Sequence, residues 1–390
     1  MPEVIIRGGR LADGTGRVLR RADIGIQGDT ISHIGKLDEE DARTIIDAKG
    51  LVVSPGFIDV HTHSDITLLV NPRAESAVRQ GVTTQVFPNC GIGLAPAVGA
   101  ALQDVEERTR PFGIEVTWRT VGEYFRQVEA ARPSVNVVPM VAQGTVRMAV
   151  MGYSKDPPSR AQMAEMKAHV EEAMQSGARG ICSGLRYVPS GYASVDELVE
   201  LAKIAKRYGG LYATHMRSEG DDGDWFSAID EALAIGRGSG VPVQISHLKA
   251  LGSEAWGKSA KALSLIRNAR RNAVDVMVDQ YPYTATSSTL FVLFPQWCQE
   301  GGVSAFLERL ADRAQEGKIR AAFATTLAMR GGGSRMTVSE YAPVRSLEGK
   351  TLTQVAKLKD APEFETAVEL LRGSKGGVSM TYHVLETADI

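Results

Sequence analysis

The chain has 390 residues, enough for a parallel barrel of roughly 250 residues together with additions. Its 44 Lys and Arg against 46 Asp and Glu leave a formal net charge of −2, which offers no electrostatic attraction to nucleic acid or to an anionic membrane surface. No apolar run is long enough to span a bilayer, and the N-terminus lacks the basic-then-apolar layout of a signal peptide, so the cytoplasm is the expected location. The three cysteines, Cys90, Cys182 and Cys298, are widely spaced, which suits a reducing compartment and does not make a disulfide framework.

Residues 1–54 read as a small β domain. Apolar and β-branched runs at 4–6, 22–26, 30–34, 44–47 and 51–53 are separated by Gly and Asp turns, the signature of hairpins. Five such strands make a thin core, which implies support from a further sheet or domain. At Pro55-Gly56 the rhythm changes to strand followed by helix, which is the expectation for residues 55–390. Strands are predicted at 57–60, 82–87, 135–141, 178–185, 211–215, 241–247 and 274–279. Ser159 with Gln162 and Ser194 with Glu197 have the spacing of helix capping boxes. Met163, Met166, Val170 and Met174 then recur at helical spacing up to Gly177, a stripe that belongs to a core. Leu198, Leu201, Ile204 and Ala205 do the same up to Gly209-Gly210. Seven strands alternating with amphipathic helices predict a (β/α)₈ TIM-like barrel rather than a doubly wound sheet, and no G-x-G-x-x-G turn opens a helix after a strand. Residues 284 to about 375 exceed an ordinary loop and predict either a lid over a site or an appended helical subdomain.

The chemistry-bearing residues fall at the predicted strand ends, where barrels of this kind place their sites. His61 and His63 are two apart on an extended run, so their side chains share a face. Cys90, His215 and His247 end other strands. The remaining histidines, His33, His169 and His383, lie in the β domain, within a helix and near the chain end, and read as structural or surface. Imidazole and thiolate are the ligands zinc prefers, so the five residues together predict a metal site; singly, Cys90 reads as a small buried hydrophobe and His215 or His247 as a satisfied core histidine. Cys182 and Cys298 read as packing. Lys249 stands two residues past His247, on the same side of an extended chain, and is either a cation for an anionic substrate or a solvated lysine at a loop end. Arg217 bears the same relation to His215 and is a second candidate anion binder.

The run from Pro55 to His63 resembles the first-strand signature of the amidohydrolase superfamily. Asn89-Cys90-Gly91, Ser183 to Pro189, Thr214 to Arg217, Ile245 to Lys249 and Asp279 to Tyr283 narrow the resemblance to the N-acyl-D-amino-acid deacylase (D-aminoacylase) family. The resemblance implies a (β/α)₈ barrel beside a small β-sandwich, with a lid after strand seven. It implies one tight zinc on Cys90, His215 and His247, and a second, weaker position served by His61 and His63. Tyr187, Lys249 and Ser288 become candidates for gripping the substrate carboxylate, with Tyr283 a further substrate contact. The implied reaction is hydrolysis of N-acyl-D-amino acids, small-molecule substrates, with no nucleic acid or membrane partner; the oligomeric state stays open. The alternatives are a cyclic-amide hydrolase of the dihydroorotase or hydantoinase type, against which Cys90 and the Ser183–Pro189 stretch stand, and a non-catalytic metal-binding fragment.

The sequence departs from the family at one point. The family carries an Asp in a Ser-Asp-Gly stretch at the end of strand eight, as metal ligand and proton shuttle. No such stretch occurs here, and Asp389 does not match it. Residues 378–384 look like the approach to that last unit. The expectation is therefore a C-terminally truncated member, a barrel incomplete at its C-terminal end, with activity weak or lost for want of the acid/base group.

Overall fold

The computed structural model describes residues 2–37 and 42–390. Two compact units are present, Met1–Ile58 with Ser76–Thr84, and Asp59–Glu75 with Gln85–Ile390. The first therefore extends past the boundary at 54 expected from the sequence and takes up a later segment as well.

The first unit carries two sheets. One has four strands in the order Thr30–Gly35, Asp23–Gln27, Val4–Arg7, Thr44–Asp47. Val4–Arg7 is antiparallel to Asp23–Gln27 and parallel to Thr44–Asp47. The other joins Arg20–Arg21, Arg10–Leu11 and Val52–Val53. Their shared core is as thin as the short strands imply: Leu11, Ala22 and Ile24 are buried, with Ile6, Ile26 and Val53 packed against them.

The second unit is built on parallel strands. Val141–Ala142, Gly180–Gly184, Leu211–His215, Val243–Ile245 and Val276–Val278 form one sheet in chain order, all parallel. Asn136–Pro139 lies beside the Gln85–Phe87 end of the strand Val82–Phe87 in a second sheet. The single residue Met140 interrupts the strand shared by the two sheets. Its N–H donates to the carbonyl of Phe87, and Arg179 N–H donates to that of Pro139, so the wall runs on across the interruption. The parallel strands alternate with helices among the described residues, a TIM-barrel type of arrangement. All five residues of Gly180–Gly184 are buried, as expected of a parallel strand covered on both faces. The helices cover the wall with the predicted stripes: Met166, Val170 and Met174, then Leu198, Leu201 and Ile204, all in one large core.

The two predicted caps behave differently. Ser159 and Gln162 form a complete capping box at the start of Arg160–Gln175. Removing it in Ser159→Ala should cost about 1 kcal/mol and speed amide exchange in the first turn of that helix, with little change elsewhere, as hydrogen exchange would read. At Ser194 the hydroxyl caps the Glu197 N–H, but the Glu197 side chain does not return to the cap. It is buried instead and engaged by Gln143 and Arg147. Tertiary demand for that carboxylate overrides the local motif.

The insertion after the seventh strand is more than helices. Thr286–Thr289, Ser379–Tyr382 and Met336–Glu340 form an antiparallel sheet with Ser379–Tyr382 in the middle. This corrects the reading of 378–384 as the approach to a last barrel unit, because both ladder edges of Ser379–Tyr382 are taken by strands of the insertion. A second core forms under this sheet, with the Phe294 ring in contact with those of Phe306, Phe323 and Phe364. No helix among the described residues is long and apolar enough to cross a membrane.

Candidate metal centre

Cys90 is the residue around which the predicted ligands gather. It follows Val82–Phe87 in a backbone of φ +53°, left-handed and uncommon outside glycine. The chain can turn so sharply because Gly91 and Gly184 follow and face it: a Cβ on Gly184 would lie 1.9 Å from the Cys90 carbonyl oxygen, and one on Gly91 2.4 Å from Gly184 N. The turn brings Cys90 Sγ to 3.5 Å from His61 Nε2 and 3.4 Å from His247 Nε2. His247 also has a left-handed backbone, φ +35°, two residues beyond Val243–Ile245. Two strained non-glycine residues facing each other at strand ends are held there by their surroundings.

Two donor groups result, His61–His63–Cys90 and Cys90–His215–His247, and in each the donor atoms all lie within 4.8 Å of one another. The second group is entirely buried, while His63 is the exposed member of the first. His215 ends its strand and pairs in register with Gly184. Both its ring nitrogens and His61 Nδ1 are buried without a hydrogen bond; carboxylates stand 3.4 Å from His215 Nε2 and from His61 Nδ1, so His215 Nδ1 is the atom for which a further partner matters most. Burial drives the Cys90 thiol well above its ordinary pKa, so a thiolate there calls for a nearby cation. A thiol, imidazoles with open lone pairs and short mutual distances are what a zinc-type ion takes.

Two carboxylates that the sequence reading did not single out complete the centre. Asp279, one residue past Val276–Val278, lies 3.4 Å from His61 Nδ1 and accepts from His247 N–H at 2.7 Å and Gln244 Nε2 at 2.6 Å. Burial opposes its charge, but these donors outweigh it and hold the Asp279 carboxyl below the usual range. Glu219 lies 3.4 Å from His215 Nε2 and 3.2 Å from His247 Nδ1, and is bonded directly to the Lys249 ammonium. Burial works against charge on both Glu219 and Lys249; His215 and the Lys249 ammonium beside it hold the Glu219 carboxyl well below its ordinary range, and Glu219 holds the ammonium above its own. Burial pushes His215 and His247 the other way, towards neutrality. Such carboxylates beside imidazoles orient ligand rings. Asp279 was legible as a strand-end residue; Glu219, four residues past His215 in an irregular loop, had no periodic signal.

A cavity of about 340 Å³ opens over the centre. Tyr187, Lys249, Tyr283 and Ser288 all line it, as do Tyr281, Arg186 and Arg330. Tyr187 stands 4.8 Å from His215, ring to ring, and its hydroxyl is 3.2 Å from Ser288 Oγ. Tyr281 presents a buried hydroxyl with no hydrogen-bond partner. Arg217 is not brought to this cavity, which corrects its expected role. Its guanidinium makes a forked pair with Glu231 and donates to the carbonyls of Gly191 and Ala193, so each of its three nitrogens is engaged in tying loops together. The irregular backbone past His215 does not keep the two-residue alternation that the sequence argument assumed.

Residues 44–328 match the model of an amidohydrolase family. An N-acyl-D-glutamate deacylase of Alcaligenes xylosoxydans xylosoxydans is 39% identical over 293 residues, 74% of this chain and 58% of that protein. A solved D-aminoacylase, described for its binuclear metal centre, superposes with a TM-score of 0.81 at 32% identity, covering 100% of this chain and 73% of its own. The N-acyl-D-glutamate deacylase of Bordetella bronchiseptica, solved with zinc and a phosphonate inhibitor, superposes with a TM-score of 0.80 at 29% identity and the same coverage. The chain thus spans 58% of the length of the curated deacylase it matches. A family match over most of the chain, a barrel wall in the same arrangement and solved relatives at this identity agree: the chain belongs to the amidohydrolase family and, within it, to the D-aminoacylase group.

Proposed function

We propose that the chain hydrolyses the amide bond of N-acyl-D-amino acids, releasing a carboxylate and a free D-amino acid, with zinc as the metal. The observation that carries this is the pair of donor groups sharing Cys90 at the floor of one cavity. Cys90, His215 and His247 would hold the tight ion; His61 and His63 would serve a weaker position beside it. Zinc so held supplies Lewis acidity towards an amide carbonyl and makes water a stronger acid.

The chain's own residues do the rest of the positioning. Asp279 and Glu219 fix the imidazoles of His61, His215 and His247. The linked hydroxyls of Tyr187 and Ser288 and the unpartnered hydroxyl of Tyr281 offer hydrogen bonds to a polar substrate. The buried rim of Leu251, Val292 and Tyr382 excludes water from the reacting amide. The cytoplasm is the compartment this reading adopts, with Cys90, Cys182 and Cys298 free and buried.

The test is release of amine from N-acetyl-D-amino acids by the zinc-loaded chain, with the L enantiomers and hydantoins in parallel. The expected result is release from the D series above both comparators. Zinc-loaded protein that releases the L series faster than the D series, or opens hydantoin rings faster than it releases D-amino acids, would overturn the reading.

A further inference from the structure

A buried polar chain leads away from the metal centre, and no step of the proposed reaction uses it. It begins at Gly184, the last residue of the strand Gly180–Gly184. Two of the three buried donors depend on where this residue sits. The Cys90 carbonyl oxygen packs so closely on Gly184 that no Cβ fits there, and His215 pairs with Gly184 in the ladder. The next N–H, that of Leu185, donates to the His215 carbonyl at 2.9 Å. Gly184 N–H has a different acceptor, the hydroxyl of Ser190 at 3.1 Å.

The hydrogen bonds behind Ser190 run in one direction. Ser190 Oγ donates to Gln143 Oε1, Gln143 Nε2 donates to Glu197 Oε1 at 3.0 Å, and Arg147 Nε stands 3.3 Å from the same oxygen. All four side chains are buried, so solvent does not set their orientation. A carboxylate can only accept and a guanidinium only donate. Glu197, held by Arg147, therefore turns the amide NH2 of Gln143 towards itself and the amide oxygen towards Ser190. That oxygen also only accepts. It takes the one hydroxyl hydrogen and leaves the lone pairs of Ser190 to Gly184 N–H. Bonds aligned in this way polarise one another. The helix Gln143–Met151 meets the Cys90 turn at a second point as well. A Cβ on Gly144 would lie 2.5 Å from the Gly91 carbonyl oxygen and 3.1 Å from Ser190 Cβ.

We infer that Ser190, with Gln143 and Glu197 behind it, is a positioning residue for the metal centre. It fixes the Gly184 peptide, against which Cys90 turns and beside which His215 ends. This role rests on the proposed reading of Cys90, His215 and His247 as the tight metal position. Donor atoms of such a site must be held to within about 0.5 Å. Cys90 has a left-handed backbone, φ +53°, and keeps its place only through neighbours that over-determine it.

Zinc affinity, measured by competition with a chelating dye well below each melting midpoint, reads the site apart from stability. Ser190→Ala removes one oxygen atom and should weaken zinc binding about tenfold or more, the scale expected when an outer partner of a metal ligand is lost. R147M/E197L replaces the buried ion pair by apolar side chains, an exchange that a fold tolerates well. It also frees the Gln143 amide to turn its NH2 to Ser190, which crowds two donors on one oxygen and strands the hydroxyl hydrogen. This double variant should keep most of its stability and yet bind zinc about as weakly as Ser190→Ala. With cobalt, the thiolate-to-metal absorption band of the parent should weaken or shift in both variants. A role in packing alone gives the opposite pattern, lower melting temperatures with parental zinc affinity and a parental cobalt band. Parental affinity in either variant would overturn the inference. A parent chain that takes no zinc would sink the metal reading and this role with it. One that takes zinc but opens hydantoin rings faster than it releases D-amino acids would sink the deacylase reading and leave this role standing.

Discussion

Alanine at position 90 is expected to empty both metal positions at once. Cys90 Sγ belongs to both donor groups, whereas each histidine belongs to one. Losing a partner that merely orients a ligand typically lowers metal affinity by about 10–100-fold, so removing the shared sulfur should exceed that, with amide hydrolysis falling in step. Metal analysis after dialysis should show Cys90→Ala depleted at both positions, while His63→Ala keeps the buried group of Cys90, His215 and His247. Cobalt titration gives a second reading that needs no substrate: the thiolate-to-metal absorption band seen with the parent chain should be absent from Cys90→Ala. The substitution removes a single sulfur atom from a buried site, so unfolding is a weak rival explanation, and an unchanged melting temperature of the metal-free proteins would remove it. A Cys90→Ala protein that binds metal like its parent would show that the thiol is packing and the histidines are a polar cluster.

The largest effect on stability is expected at Arg147. This side chain is 0% exposed, and its partner Glu197 2%. The guanidinium reaches Glu197 at 3.3 Å and also donates to the carbonyls of Ser154 and Asp156, at 2.6 Å and 2.8 Å. Arg147→Ala would leave the Glu197 carboxylate buried without its cation and two loop carbonyls without donors. Breaking one half of a buried pair typically costs about 3–5 kcal/mol. Denaturant titration should therefore show a large fall in the midpoint for the unit containing this pair. The apolar double substitution R147M/E197L should recover most of the loss, because it removes both desolvated charges together. A single substitution as stable as the parent would mean that Glu197 takes a proton without cost. Burial does push its carboxyl above the ordinary value even with Arg147 beside it, so proton uptake by the stranded acid should be measurable as a pH dependence of the variant. With its folded-state pKa raised, the lone acid is less unfavourable as pH falls, and the deficit of Arg147→Ala should shrink towards acid pH.

Much of this molecule was legible before any coordinates. Parallel strands buried on both faces read as apolar runs, and amphipathic helices show their 3.6-residue period, so the wall strands and the helices after Ser159 and Ser194 could be placed to within a few residues. The ligand cluster was legible for a related reason. Barrel topology brings strand ends to one rim, so His61, His63, Cys90, His215 and His247 could be grouped from strand positions alone. What failed was local geometry past the strand ends. Two-residue alternation put Arg217 beside His215, but the chain there is irregular, and Glu231 with two loop carbonyls captures the guanidinium. Capping-box spacing assigned Glu197 to a helix terminus, and the buried Arg147 took it. Residues 378–384 stand where the approach to a last barrel unit is expected, but position along the chain does not say which sheet a segment will pair with; two strands from the insertion flank Ser379–Tyr382.

By itself, then, the sequence determined the order of strands and helices and the donor types at the strand ends, because both follow from short-range periodicity. Tertiary structure alone decided which charges are spent and which remain available. Lys249 is neutralised by Glu219, thirty residues earlier in the chain, and Asp221 gathers Arg186 with Arg330, which lies 109 residues beyond it. Those pairings arise between segments remote in sequence and draw their strength from burial, a property that no local pattern encodes.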